Sequence, residues 1–107
     1  MNIGLIAHNE KKNLIEDFCV AYKKILEKHQ LYATGTTGRR IEEVTNLKVH
    51  KFLPGMLGGD KQFIEMICRN SLDMVLFFYN PALFGTKEPS IDEISNCCDQ
   101  YNIPIAT

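Results

Sequence analysis

Tryptophan is absent from this chain, and charge of either sign is not in surplus: 12 lysines and arginines against 13 aspartates and glutamates leave a net charge of −1. That balance removes the electrostatic case for a nucleic-acid or membrane-surface partner, so an anion site has to be local rather than a property of the whole surface. No apolar run approaches the roughly 20 residues of a membrane span. No charged-then-apolar leader opens the chain either, which points to a cytoplasmic protein. Internal repeats, biased tracts and linkers are missing as well. The four cysteines, Cys19, Cys68, Cys97 and Cys98, lack the spacing of a disulfide or zinc framework, since two are adjacent and none forms Cys-x-x-Cys near a histidine. They read as reduced thiols, three or more of them in helix interiors, and no metal site is expected.

What is there suits one compact α/β domain over residues 1–107, with 45% hydrophobic and 23% charged residues. Residues 2–7 form a nearly continuous apolar run, as in a strand buried on both faces. Leu14, Phe18, Tyr22, Ile25 and Leu26 then recur at helical spacing and predict an amphipathic helix over 10–29, with Asn9 as its N-cap. A second strand is expected over 31–34, a short helix over 38–46 with Ile41 and Val44 inward, and a strand near the sheet edge over 48–52. Pro54, Gly55, Gly58 and Gly59 crowd a loop; a helix follows over 60–70, with Phe63, Ile64 and Ile67 on one face. Residues 73–79 are the strongest strand pattern. Ser90 to Glu93 is a capping box that opens a last helix, and 103–106 close as a fifth strand. Strands alternating with helices imply a Rossmann-like open parallel sheet of about five strands with helices on both faces.

Ligands on such sheets bind beyond the carboxyl ends of the strands, which singles out His8, residues 34–38, 53–60 and 80–90. Gly35-Thr36-Thr37-Gly38 lies between a strand and a helix, where glycines admit a close ligand and the helix N-terminus offers unpaired N–H groups. A tight turn with threonine caps satisfies the same residues. Lys12 reads as a point charge for a phosphate or as a solvated helical lysine. Asp60, after two glycines, reads as a base that takes a proton from a carbon beside a carbonyl, or as the N-cap of its helix. His8 reads as a donor to a substrate oxygen or as a structural histidine. Tyr32 and residues 77–79 read as core, and His29 and His50 as structural.

Together these segments resemble the methylglyoxal synthase family over essentially the whole chain. IGLIAHNEKK resembles that family's IALIAHDxKK, and LYATGTTG at 31–38 is identical to its phosphate-loop motif. PGMLGGDKQ at 54–62 resembles SGPxGGDQQ, FFYNPALFGTKEPSID resembles FxxDPLxxxPHxPDV, and YNIPIAT resembles IPxAT. The resemblance implies a cofactor-free carbon–oxygen lyase that takes dihydroxyacetone phosphate, through an enediolate phosphate, to methylglyoxal and phosphate. It implies Asp60 as the base, and His8, Lys12, Thr34, Thr36, Thr37 and Gly55 as contacts to a small phosphorylated substrate.

This sequence departs from the family pattern at Asn80 and Ser90, which replace aspartates, and at Lys87, which replaces the histidine that donates to the substrate carbonyl. Pro54 replaces a phosphate-contacting serine, and Asn9 replaces the aspartate beside His8. The chain stops at Thr107, where family members continue through a further helix-containing segment, so the domain reads as short at its C-terminus. The family's hexamers imply a homo-oligomer. Related domains serve as regulatory modules of carbamoyl phosphate synthetases, so a module that binds a phosphorylated metabolite without turnover is the second reading.

Overall fold

The computed structural model of the chain describes residues 1–8, 11–52, 59–78 and 91–106, and not the side chains of residues 59, 60, 91 and 92. Its strands are β1 (Asn2–Ala7), β2 (Gln30–Ala33), β3 (Val49–Lys51), β4 (Met74–Phe78) and β5 (Ile105–Ala106). Its helices are α1 (Lys12–Ala21), α2 (Lys23–Leu26), α3 (Gly35–Thr45), α4 (Gly59–Cys68) and α5 (Ile91–Gln100). The strands form one parallel sheet in the order β3-β2-β1-β4-β5. The chain therefore runs outward from β1 to one edge, returns, and runs out to the other. This is the expected open sheet, and β3 is an edge strand as its alternating pattern predicted.

Alternation along β1 divides the core into two layers. Ile3, Leu5 and Ala7 pack with Ile15 and Cys19 of α1, Leu26 of α2 and Ile41 of α3. Ile6 packs on the other face with Phe63 and Ile67 of α4 and with Ile94 and Cys98 of α5. Gly4 permits this second layer to close on the central strand, because a Cβ there would lie 2.6 Å from Phe63 Cζ. Three asparagines with positive φ, Asn46, Asn70 and Asn102, stand just beyond α3, α4 and α5. Asparagine tolerates this left-handed backbone better than other non-glycine residues, so each marks a helix stop without glycine.

The differences from expectation are local. The single helix expected over 10–29 breaks at Tyr22, where φ is −109° and ψ 21°. Its buried stripe is Lys12, Ile15, Cys19 and Leu26, whereas Leu14, Tyr22 and Ile25 are exposed. Two adjacent apolar stripes share this segment, and the one that brings Lys12 and Ile15 onto the sheet is the one buried. In α3, Ile41 is inward as expected, but Val44 is 47% exposed. Thr45 takes the inward place and satisfies its hydroxyl by donating to Ile41 O at 2.6 Å. In α4, Phe63 and Ile67 are fully buried while Ile64 sits at the margin of the core. All four cysteines are in helices, with Cys19 and Cys98 buried in opposite layers. Asn9 is not the N-cap of the first helix: that helix begins at Lys12, and Lys11 holds the cap position without a side-chain cap bond. Ser90 lies outside the described residues, so its expected capping role does too.

Candidate active site

The described part of the site lies where β1 and β2 end side by side. Leu5 pairs with Ala33 in register, so the residues that follow the two strands emerge together. His8 is 2% exposed; its N–H donates to Phe78 O at 2.9 Å, which extends the β1–β4 pairing by one bond beyond the strand. Its imidazole meets the Phe77 ring edge-on, with centroids 5.3 Å apart. His8 O in turn accepts from Lys11 N–H at 2.8 Å, turning the chain into α1.

That turn carries Lys12 inward. The side chain is 7% exposed, and its ammonium donates to Ala7 O at 3.2 Å and to Thr37 Oγ1 at 2.8 Å. Both of these acceptors are neutral oxygens. A buried ammonium next to a helix N-terminus concentrates positive potential at one corner of the sheet.

Residues 35–38, expected as a loop ahead of a helix that starts at Gly38, are instead the first turn of α3. Gly38 N–H donates to Thr34 O at 2.8 Å and is the first helical bond of that element. The N–H groups of Gly35, Thr36 and Thr37 precede that bond, so none of them has an intrahelical acceptor. Thr34 holds the N-cap position in extended backbone, with φ −65° and ψ 159°, yet its side chain makes no cap hydrogen bond. A threonine there ordinarily occupies one of these donors; here the Thr34 side chain occupies none of them. Thr37 is fully buried against Lys12, and Thr36 is exposed.

The structure also supplies a brace that the sequence did not signal. Arg40, one turn beyond Thr37, donates to Glu16 Oε1 and, at 2.9 Å, to Asn13 Oδ1, so α1 and α3 are tied together one turn behind Lys12 and Thr37. These residues are 24 and 27 positions apart, and only the packing of α1 on α3 reveals the pairing.

His8, Lys12, Thr34, Thr36 and Thr37 are thus brought to one corner. Asp60 is the second residue of α4, because that helix begins at Gly59. Its backbone therefore lies inside the first turn, two positions past the N-cap; its side chain lies outside the described residues. Gly55, Asn80, Lys87 and Ser90 lie outside the described residues, as does Pro54. Among the described residues no group of three or more His, Cys, Asp or Glu side chains is placed to hold a metal ion. No described helix is long and apolar enough to cross a membrane.

A helical first turn left uncapped by the Thr34 side chain, a buried ammonium and a hydroxyl at one corner suit a phosphate group. Known proteins resemble the chain in the same sense. The MGS-like domain family matches residues 14–107. A methylglyoxal synthase of Caldicellulosiruptor saccharolyticus is 54% identical over all 107 residues, which span 76% of that protein. One from Listeria welshimeri is 52% identical over the same residues and 80% of its own length. The crystal structure of methylglyoxal synthase from Elizabethkingia anophelis superposes with a TM-score of 0.92 at 35% identity, over 98% of this chain and 69% of that one.

Proposed function

Because this chain belongs to the methylglyoxal synthase family, we propose that it converts dihydroxyacetone phosphate to methylglyoxal and inorganic phosphate. The observation that carries this reading is the first turn of α3, whose N–H groups the Thr34 side chain does not cap and beside which Lys12 donates to Thr37. In this reading the substrate phosphate sits on the N–H groups of residues 35–37, with Lys12, Thr36 and the Thr34 hydroxyl around it. Convergent N–H donors and an ammonium stabilise the phosphate dianion most when it leaves, because its bridging oxygen then takes up the electron pair of the broken C–O bond.

The chemistry needs a base before it needs a leaving group. Asp60 removes a proton from the carbon that bears the free hydroxyl, and His8 donates to a substrate oxygen as the enediolate forms. The C–O bond to phosphate then breaks, and the enol left behind tautomerises to methylglyoxal. Gly55 matches a further substrate contact of the family. Lys87, in place of the family's histidine, supplies a cation for the enediolate; lysine as a residue type is a poorer proton shuttle at neutral pH than histidine. No metal or organic cofactor enters the scheme. The exposed apolar side chains Leu14, Val20 and Ile25 on α1 and α2, with Tyr22 between them, support assembly of the chain as a homo-oligomer.

Asn80, Lys87 and Ser90 favour a second reading, a module that binds a phosphorylated metabolite without turning it over. The test is to supply dihydroxyacetone phosphate to the purified protein and follow methylglyoxal and phosphate together. Their appearance in equal amounts supports the lyase. Binding of inorganic phosphate without turnover supports the module, and absence of both overturns the α3 turn as a phosphate site.

A further inference from the structure

We infer that Lys51, at the end of the edge strand, is a positioning residue that seats the phosphate-binding turn of α3, an inference that rests on the reading of that turn given above. Lys51 pairs in register with Ala33, the residue that leads into Thr34 and α3, and the next N–H, that of Phe52, donates to Ala33 O at 2.9 Å. The end of β3 therefore borders the entry to the turn. From that position the Lys51 methylene stem crosses over Gly38. A Cβ at Gly38 would lie 2.6 Å from Lys51 Cγ and 3.3 Å from Cδ, so only glycine lets the stem lie this close.

Lys51 is also held at its far end. Its ammonium donates to Glu42 Oε1, and Glu42 Oε2 accepts from Val49 N–H at 3.0 Å. Glu42 lies one turn after Gly38, so two successive turns of α3 are fastened to the two ends of a three-residue strand. The Lys51 hydrogen bond, followed by the Val49 N–H, holds the Glu42 carboxyl below its ordinary range. On the opposite flank, Lys12 and Arg40 join the same helix to α1. Lys51 is thus the β3-side counterpart of that brace, with no contact to the phosphate itself.

A half-exposed ion pair contributes little by itself; the stem over Gly38 is the part that fixes where the turn sits. Tilting the turn by about 1 Å misaims its three N–H groups, which is costly for a site that works by preorganised donors.

The experiment compares wild type, Lys51→Ala and Lys51→Met by calorimetry with inorganic phosphate, by steady-state kinetics with dihydroxyacetone phosphate, and by thermal melting. Lys51→Ala should weaken phosphate binding, and raise KM, by roughly threefold to tenfold while kcat stays within about twofold. Lys51→Met keeps an unbranched stem over Gly38 and should recover phosphate affinity to within about threefold of wild type. Wild-type phosphate affinity in Lys51→Ala, with only a lower melting temperature, would make the residue merely structural and overturn the inference. Failure of the wild-type protein to bind phosphate would instead overturn the reading of the α3 turn, and the inference with it. Wild-type binding without turnover leaves calorimetry to decide the matter between the two variants.

Discussion

Lys12 and Thr37, 25 positions apart, meet in a 2.8 Å hydrogen bond that joins the first residue of α1 to the first turn of α3. The ammonium is thereby fixed beside the N–H groups it would otherwise only approach by chance. Thr37→Val keeps the shape of the side chain and removes this acceptor. Hydrogen bonds that involve a charged group contribute about 1.5–3 kcal/mol, so phosphate affinity measured by calorimetry should fall roughly tenfold to a hundredfold in the variant. Thr37→Ser should restore it. Wild-type affinity in Thr37→Val would show that the bond does not organise the site.

Binding and chemistry should separate at Asp60. Asp60→Asn should bind inorganic phosphate much as wild type does, because the described donors of the proposed phosphate corner come from residues 8–37. Turnover of dihydroxyacetone phosphate should drop by at least the roughly 10²–10⁴-fold typical of a lost acid–base group. Unchanged turnover would remove Asp60 as the base.

The family's histidine can be put back where this chain has lysine. Lys87→His should raise kcat by about tenfold or more, since an imidazole titrates near neutral pH and a lysine ammonium does not. A kcat that falls instead would assign the Lys87 cation a productive role of its own.

Packing makes a prediction that does not depend on the reaction. Gly4→Ala forces a methyl into Phe63 and Leu72, which would lie 2.6 and 2.9 Å from it. Overpacked cores lose about 1–3 kcal/mol, and the midpoint of urea unfolding should fall accordingly. An unshifted midpoint would mean that Phe63 moves aside without cost.

Alkali should also destabilise the fold. Burial pushes the Cys19 and Cys98 thiols from 9.0 up to about 11. Between those values the unfolded chain releases thiol protons that the folded chain keeps, so stability falls as pH rises through this window and is unaffected by these groups below it. The urea midpoint followed from pH 8 to 10.5 should decline, and it should decline less steeply in Cys19→Ala.

The parallel sheet and the alternation of strands and helices along the chain were legible, because the inner strands are short apolar runs and the helices carry apolar residues at helical spacing. Details decided by tertiary contacts were not. The segment over 10–29 carries two apolar stripes, and nothing short of the packed sheet selects Ile15 and Cys19 over Leu14 and Tyr22. Val44 and Thr45 compete for one inward position, and the hydroxyl wins because its own helix accepts its proton. At the candidate site, LYATGTTG pointed to the corner beyond β2, but not that its last four residues are already helical. The Thr34 side chain that leaves the helix uncapped was invisible too, since threonine at that place usually announces a cap.

The sheet order has a consequence for how such a protein changes over time. His8, Lys12 and residues 34–37 all come from the first 52 residues, which build β1, β2, β3 and the helices on one face. Asp60 opens the helix that leads into the other layer, and that half meets the first mainly along the β1–β4 ladder. On the reading proposed above, the described phosphate contacts and the Asp60 base therefore lie on separate stretches of chain. Substitutions that silence the second leave the first assembled, so a descendant of this fold reaches ligand sensing from catalysis by losing a proton acceptor rather than by building a pocket.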